Sequence, residues 1–426
     1  MVVNIDFKIA YDILHDIYVK GAYSTIKMNE MLEDIRSRDR IVRIVYGVLD
    51  RDIELDYYIN HLSAKRPKVV PTIILKIALY CIIYMDGMPD YAVVDNAVEL
   101  CRAVGKNEYK GYVNALLKNF IATDYIPMPK NEKERMSIEL SKPLWLVKAL
   151  VKQYGKDKAI AIMSAESDSR EHIRPNTRRI SYKRLLEILR ENKIEYTESG
   201  VGGVFVTSNA KIRELFNKGI VTMQGASSML AVNALDVQPT DNVLDLCSAP
   251  GGKGVYMSER LTTGHVLALE LHEHRVELIK SYIRRMHASN ITAECNDAMV
   301  YRADLEGQFD RVLVDAPCSG LGIMHKKGDI LLGKSMDDVN ALSEIQYAIM
   351  NNAIRYVKSG GYIVYSTCTI LREENYNIIG RLLKERDDIE LVPIDNISIA
   401  NSGSVQILQG DRVGLDGFFI AKLRKR

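Results

Sequence analysis

The 426-residue sequence has only six cysteines, and none of them stand in the spacings that metal-binding or disulfide-rich proteins use. They lie at positions 81, 101, 247, 295, 318 and 368, with no CxxC pair among them. Structural zinc sites need closely spaced cysteines or histidines, and small secreted domains need dense, paired cysteines. The sequence therefore predicts no metal site, no disulfide framework, and reduced thiols in a cytoplasmic protein.

The sequence also lacks a long apolar run and a basic leader. The start, MVVNIDFKIAYDIL, carries Asp6 and has no positively charged segment ahead of an apolar one, so it does not indicate a signal peptide. The most apolar stretch, Val69 to Met85, contains Pro71 and Lys76 and is too short for a membrane span. We predict a buried helix there, no association with membranes, and a monomeric protein.

An excess of one charge is missing too, since Lys and Arg number 57 and Asp and Glu number 55. A net charge of +2 excludes a polybasic tail, but the charge is unevenly distributed. Residues 1–130 are balanced, residues 131–220 carry +6, and residues 221–426 carry −4. The middle region fits contact with a polyanion, with Arg174, Arg178 and Arg179 as candidate RNA-binding residues. On charge alone, an ordinary solvated surface explains the same pattern and is favoured.

The period of apolar residues divides the chain into three predicted domains. Residues 1–128 show helical spacing throughout, as in Ile41, Val45 and Leu49, and end at the breaker Pro127-Met128-Pro129. Residues 129–220 mix helical and alternating segments, which predicts a small basic α+β connector. Residues 221–426 alternate short apolar runs with helical stretches, which predicts an α/β domain with a mostly parallel sheet. Its strands are predicted in NVLDLC, HVLALE, ITAEC, FDRVLVDAP, GYIVYST and GFFIAKL, the last beside Ile389–Pro393.

A glycine turn follows the first of these strands, in the sequence LDLCSAPGGKG. Two glycines between a strand and a helix let a ligand approach the backbone closely. The turn matches neither GxxxxGK[ST] nor GxGxxG, which disfavours phosphate hydrolysis and dinucleotide redox chemistry. Glu270 ends the second strand, where it suits two ribose hydroxyls, and Asp297 follows the third, where it suits an adenine amino group. This set indicates S-adenosylmethionine, although each acid taken singly is more often a helix cap.

Two cysteines follow neighbouring predicted strands, Cys318 after Asp315-Ala-Pro and Cys368 after Ser-Thr. A lone cysteine is more often a small buried apolar residue, but two at the same sheet edge favour a shared pocket. A thiolate beside a methyl donor suits carbon 5 of a pyrimidine, because its attack on carbon 6 makes carbon 5 nucleophilic. Spacing alone does not decide which of the two thiols attacks.

These motifs resemble the RNA 5-methylcytosine methyltransferase family, and within it the bacterial enzymes of 16S ribosomal RNA in the small subunit. The matching segments are LDLCSAPGGK, ALELHEHRV, DAPCSGLG, YSTCT with the following Glu373-Glu374-Asn375, the terminal DGFF, and IRPNT upstream. Residues 1–128 are similar to the helical RNA-binding domain of a transcription antitermination factor. The resemblance implies a Rossmann-like S-adenosylmethionine-dependent domain that methylates cytosine at carbon 5 in 16S ribosomal RNA, free or partly assembled, through a covalent cysteine adduct.

The resemblance also implies roles for individual residues. Cys368 would be the nucleophile, Cys318 would assist product release, and Asp315 would line the pocket between cofactor and base. In the DNA enzymes, by contrast, the cysteine after proline is the nucleophile, which would select Cys318. The implied cofactor-binding residues are Cys247, Ser248, Ala249, Pro250, Gly251, Gly252, Lys253, Glu270, Asp297 and Asp315. Family members usually have Asp where this chain has Gly225, and more often Asp than Glu at position 270.

Two other functions compete with this interpretation. A noncatalytic RNA-binding assembly factor would carry the α/β domain as a relic, but the complete set of loops disfavours it. A DNA cytosine methyltransferase is disfavoured by the helical first domain and by the cysteine that follows Ser-Thr rather than Pro.

Overall fold

The structure, a computed structural model, describes residues 4–426 other than 33, 34, 36, 167, 169, 396, 398–400, 410, 412 and 413. The chain forms two compact units. The first comprises Met1–Ser164 and Met324–Lys334, and the second comprises Ala165–Ile323 and Ser335–Arg426. The three-domain division at residues 128 and 220 stays a prediction.

The first unit is helical. Its helices are α1 (Ile5–Lys20), α2 (Ser24–Met31), α3 (Arg38–Asp50), α4 (Asp52–Leu62), α5 (Val69–Tyr84), α6 (Asp90–Ala103), α7 (Lys110–Ile121), α8 (Glu132–Glu139), α9 (Leu144–Tyr154) and α10 (Lys156–Met163). Most present one apolar face, as α3 does with Ile41, Ile44, Val45 and Val48 buried. The separate segment Met324–Lys334 completes this unit, since Asp329 Oδ2 accepts from Ser24 N at 2.9 Å and Trp145 Nε1 donates to Lys334 O at 2.9 Å.

Helix α5 is the buried centre of this unit, as its composition predicts. It is apolar on all sides and contacts α1, α3, α4, α6 and α7. Its one charged side chain, Lys76, is buried and pairs with Asp52 and with Asp56 at 3.0 Å, which offsets the cost of burying the ammonium. Within the part of the chain that the structure describes, no helix is both long and apolar enough to cross a membrane.

The second unit begins with a small antiparallel sheet. Its strands are β1 (Glu171–Pro175), β2 (Tyr196–Glu198), β3 (Val204–Val206) and β4 (Val221–Met223), in the order β2-β3-β1-β4. Helices α11 (Tyr182–Glu191) and α12 (Ala210–Asn217) cover it with Leu185, Leu189, Ile212 and Leu215. The alternating apolar residues around Val204 therefore form the strand that they predict.

The larger sheet of this unit is mostly parallel, which confirms the predicted Rossmann-like α/β fold. Its strands are β5 (Asn242–Asp245), β6 (His265–Glu270), β7 (Ile291–Cys295), β8 (Phe309–Asp315), β9 (Val357–Thr367), β10 (Ile389–Leu391), β11 (Ser404–Ile407) and β12 (Phe418–Lys425). The order is β10-β12-β9-β8-β5-β6-β7, with β11 also paired to β12. Strands β5 to β9 are parallel to one another, and β12 runs antiparallel to β9 and β10.

Helices cover both faces of this sheet, so successive residues of a strand enter different cores. Val243 and Leu313 face one core, while the adjacent Leu244 and Val312 face the other. The helices are α13 (Ala226–Leu235), α14 (Gly252–Ser258), α15 (Glu273–Met286), α16 (Met336–Tyr356) and α17 (Tyr376–Glu385). The chain passes from β5 outward to β6 and β7, then returns to β8 on the other side of β5. The carboxyl ends of β5 and β8 therefore border the switch point where such sheets bind ligands.

Candidate active site

The glycine turn lies between β5 and α14 and keeps backbone accessible. Gly251 has a left-handed φ of 103°, and a Cβ there would lie 3.2 Å from Ile279 Cγ2. A Cβ on Gly254 would lie 3.1 Å from Ser248 Oγ and 3.3 Å from Asp245 Oδ2. On Gly252, a Cβ would lie at ordinary contact distance from Tyr282 Oη, 3.8 Å, and from Gln224 Cδ, 3.9 Å. The turn is thus closely packed at Gly251 and Gly254 and less crowded at Gly252.

Asp245, the last residue of β5, is a site residue that sequence reasoning missed. Its side chain is fully buried, and burial raises the pKa of this carboxyl to about 7, with Ser248 opposing the shift and Asp315 adding to it. The signal was available in the sequence, because a carboxylate inside the apolar run Val-Leu-Asp-Leu cannot face water in a strand that is covered on both sides.

We expect Asp245→Asn to flatten the pH dependence of stability near neutrality. The folded protein keeps the Asp245 proton to about pH 7, whereas an exposed aspartate releases it near its ordinary value of 3.8. The parent therefore loses unfolding free energy, relative to the variant, as pH rises from about 4 to about 7, and the difference is constant above that. Urea unfolding of both proteins across this range measures the difference, and parallel pH profiles would contradict the assignment.

The two predicted adenosine-binding acids occupy different environments. Glu270 ends β6 with a nearly buried side chain, and its Oε1 accepts from Arg275 Nη1 at 3.0 Å and from His272 N at 3.3 Å. These bonds fix the orientation of the carboxylate at the strand end. Asp297 lies beyond β7 in an exposed position, with Oδ1 accepting from Met299 N at 2.9 Å.

Lys253 and Asp315 join the glycine turn to the end of β8. Lys253 Nζ donates to Asp315 Oδ2 at 2.6 Å, and Ser366 Oγ donates to Asp315 Oδ1 at 2.8 Å. Burial alone would lower the pKa of Lys253, but Asp315 outweighs it and the pKa is raised. The ammonium therefore stays charged beside the thiols described next.

The structure brings the two strand-end thiols together. Cys318 Sγ and Cys368 Sγ are 3.3 Å apart, and both side chains are half-buried and not joined by a disulfide. The hydrogen bond from Cys318 lowers the pKa of Cys368, with the charge of Lys253 acting in the same direction against burial and Asp315. The same bond raises the pKa of Cys318. Cys368 is thus the better thiolate and Cys318 the proton donor.

The remaining thiol of the glycine turn has a different character. Burial raises the pKa of Cys247 well above its ordinary range, and the nearby acids Asp245, Asp315 and Glu270 raise it further. Cys247 therefore stays protonated at neutral pH and serves as part of the turn rather than as a nucleophile.

Of the three predicted RNA-binding arginines, Arg174 is placed where RNA cannot reach it, so that prediction is wrong. Its side chain has 0% exposure, donates from Nε to Gln224 Oε1 at 2.6 Å, and pairs with Glu259 at 2.7 Å. Thr177 also donates to Glu259, from N at 3.0 Å and from Oγ1 at 2.9 Å. The IRPNT segment therefore fastens β1 to the carboxyl end of α14 instead of presenting charge to solvent.

Arg178 and Arg179 are exposed but also hold the backbone. Arg178 Nη2 donates to the carbonyl oxygens of Ser258 and Leu261, each at 2.9 Å, and Arg179 Nη1 donates to Lys218 O. Both side chains remain at the surface of the second unit.

Arg174→Ala should destabilise the second unit strongly, because it leaves the Glu259 carboxylate buried without its cation. Breaking a buried ion pair by removing one partner costs about 3–5 kcal/mol. Denaturant unfolding measures this loss. The control is Arg184→Ala, which removes only solvent-exposed pairs with Glu187 and Glu191 on α11 and should leave stability almost unchanged. Equal effects of the two substitutions would contradict a structural role for Arg174.

Three family models match successive segments of the chain. The NusB family matches residues 8–122, the ferredoxin-like domain of RsmF/B-like methyltransferases matches residues 142–213, and the model described as 16S rRNA methyltransferase RsmB/F matches residues 232–424.

Curated relatives and solved structures agree with these matches. The probable ribosomal RNA small subunit methyltransferase B of Bacillus subtilis (strain 168) is 34% identical over 95% of this chain and 93% of its own length. Ribosomal RNA small subunit methyltransferase B of Vibrio vulnificus (strain YJ016) is 28% identical over 98% of both chains. A methyltransferase homologue from Pyrococcus horikoshii is 26% identical, with a TM-score of 0.62 over 70% of this chain and all of its own. NSun6 from the same organism, solved with the S-adenosylmethionine analogue SFG, has the same fold, with 21% identity and a TM-score of 0.60 over 66% of this chain and 98% of its own.

The mostly parallel sheet and these matches identify an S-adenosylmethionine-dependent methyltransferase. Within that class, the chain belongs to the 16S rRNA methyltransferase RsmB/F family. The predicted family, cofactor, fold and antitermination-factor-like first domain are confirmed.

Proposed function

We propose that this protein methylates carbon 5 of a cytosine in 16S ribosomal RNA through a covalent bond between Cys368 and the base. The observation that carries the proposal is the pair of thiols 3.3 Å apart beside Lys253 and Asp315, at the switch point of the sheet. One thiol with a lowered pKa and one with a raised pKa supply the nucleophile and the acid that this reaction needs.

The residues of the site fit S-adenosylmethionine. The turn from Cys247 to Lys253 would hold it against exposed backbone, Glu270 would take its ribose hydroxyls, Asp297 its adenine, and Asp315 would border it on the side of the base. Two features support this fit: the glycine backbone between β5 and α14, which is least crowded at Gly252, and the buried carboxylate of Glu270, whose orientation Arg275 fixes. When bound, the cofactor supplies an electrophilic methyl group on a sulfonium.

The protein's own groups perform the covalent steps. Cys368 Sγ attacks carbon 6 of cytosine, forming a carbon–sulfur bond and making carbon 5 nucleophilic enough to be methylated. Cys318, after it has given up its own proton, takes the proton from carbon 5. The electron pair of the broken carbon–hydrogen bond restores the ring double bond, and the carbon–sulfur bond breaks to return the Cys368 thiolate. Cys318, which already hydrogen-bonds the same sulfur, assists this release. The hydrogen bond from Lys253 to Asp315 holds the lysine ammonium near the reacting sulfur.

The substrate must present the cytosine outside a base stack, because both sulfurs approach the ring itself. We therefore propose that the substrate is free or partly assembled 16S ribosomal RNA. The protein would bind it in the cytoplasm as a monomer. Residues 1–128 and the connector 129–220 would bind the RNA, with Arg178 and Arg179 as surface contacts.

Cys368→Ala should abolish methyl transfer, because it removes the thiol whose pKa is lowered and leaves only Cys318, whose pKa is raised. Labelled S-adenosylmethionine and unmodified 16S ribosomal RNA measure transfer, and bisulfite sequencing shows whether the product is 5-methylcytosine. Cofactor affinity should stay at the parent level, which calorimetry checks. Normal transfer by this variant would refute the nucleophile assignment, and a methyl group at another ring position would refute the carbon 5 reaction.

Cys318→Ala should accumulate a covalent RNA–protein adduct that survives denaturant, since release loses its assisting group. Adduct formation should require a higher pH in this variant than in the parent, because Cys368 loses the hydrogen bond that lowers its pKa. Denaturing gels with labelled RNA measure both effects. The double variant with Cys368→Ala is the control and should give no shifted band. A Cys318→Ala protein that turns over normally would contradict the release role.

A further inference from the structure

A buried carboxylate lies behind the two thiols and has no role in the chemistry described so far. Glu374, in the turn before α17, has 0% exposure and accepts four hydrogen bonds. Its Oε1 accepts from Ser319 N at 2.7 Å and from Gln346 Nε2 at 3.1 Å. Its Oε2 accepts from Ser319 Oγ at 2.5 Å and from Thr369 Oγ1 at 2.9 Å. Four donors compensate for the burial of the carboxylate.

Three of the four hydrogen bonds come from the two thiol loops, at equivalent places, and the fourth comes from Gln346 on α16. Ser319 directly follows Cys318, and Thr369 directly follows Cys368. Their hydroxyls are also 2.8 Å from each other, so the two loops meet at Glu374 Oε2. Side chains of consecutive residues share one backbone, and fixing Ser319 and Thr369 therefore fixes where the neighbouring sulfurs lie.

The adjacent Asn375 completes this arrangement on the Cys368 side. Its Oδ1 accepts from Thr367 Oγ1 at 2.6 Å, and its Nδ2 donates to Thr369 O at 3.1 Å, so the residues on both sides of Cys368 are held. On the Cys318 side, Gln346 Nε2 bonds Pro317 O at 2.9 Å as well as Glu374. Each thiol is thus flanked by residues tied to one short segment, 374–375.

We propose that Glu374 is a positioning residue that sets the distance between Cys318 Sγ and Cys368 Sγ. The part of this inference that concerns the reaction rests on the proposed function, because the thiol–thiol hydrogen bond matters only if Cys368 attacks the base. The geometric part does not depend on it. The four hydrogen bonds of the Glu374 carboxylate all come from protein groups, so the proposed role needs no contact with RNA or cofactor.

The two obvious substitutions should differ. In Glu374→Gln, the amide oxygen can accept from Ser319 N and Gln346, while the amide nitrogen donates to the Ser319 and Thr369 hydroxyls, which are able to accept. All four contacts then persist. In Glu374→Ala, every one of these donors loses its shared acceptor, and the loops lose the link between them.

The test measures how readily the two thiols join, without RNA or cofactor. Diamide takes up the two thiol hydrogens and leaves a Cys318–Cys368 disulfide, which mass spectrometry detects in the linked peptides. Closure depends on the distance between the sulfurs, and displacements of about 1 Å change such proximity-limited rates by up to about 100-fold. We expect at least about tenfold slower closure in Glu374→Ala and a near-parental rate in Glu374→Gln.

Controls separate position from general damage. Glu385→Gln changes an exposed carboxylate on α17 and should leave closure unchanged. Ser319→Ala and Thr369→Val each remove one hydroxyl donor and should slow closure by less than Glu374→Ala, which keeps the proposal testable if the alanine variant does not fold. Parental closure rates in the folded Glu374→Ala, or in both donor variants, would overturn the proposal.

Methylation kinetics distinguish this inference from the proposed function. If both hold, Glu374→Ala lowers kcat by about 10- to 100-fold with KM for RNA unchanged, and Glu374→Gln restores kcat. If Glu374→Ala slows closure but the parent itself does not methylate cytosine, the positioning role stands and the proposed function fails. If closure is unaffected while methylation falls, the positioning role fails and the proposed function stands.

Discussion

Pairing between β5 and β8 is the constraint on which the active site depends. The two strands are neighbours although β6 and β7 separate them in sequence, so the chain reverses direction across the sheet at this point. Backbone bonds continue past the strand ends, from Leu246 N to Leu313 O at 3.0 Å and from Ala316 N to Ser366 O at 2.9 Å. These bonds extend the strand pairing into the loops that follow the strands. As a result, the glycine turn, Asp315 and both thiols lie close together.

The residues that sequence analysis found are those whose position follows from strand order alone. Glu270, Asp315, Cys318 and Cys368 each follow or end an apolar run, and parallel strands present such residues at one edge. This prediction did not require the exact strand order, because right-handed crossover connections allow only a few arrangements of parallel strands. The final strand beside Ile389–Leu391 was predictable for the same reason, since it is the last apolar run available.

The residues that sequence analysis missed or misjudged depend on partners far away in the chain. Arg174 is one of three arginines within six residues, and local sequence shows its charge but not Glu259, which lies 85 residues later. Glu374 lies in a segment that the family resemblance marked, but its role as a shared acceptor was not predictable, because Ser319 lies 55 and Gln346 lies 28 residues upstream. Burial of a charge becomes visible only when all of its partners are placed, and a single sequence does not place them.

The segment Met324–Lys334 belongs to the helical unit, although it lies in the second half of the chain. Asp329 bonds the first turn of α2, a contact that spans 305 residues. During synthesis, helices α1 to α10 emerge from the ribosome long before this segment exists. Local helix packing can begin early, but the unit is complete only after residue 334 has been translated. The amino-terminal unit is thus finished late, and its last piece is encoded inside the sequence of the catalytic unit.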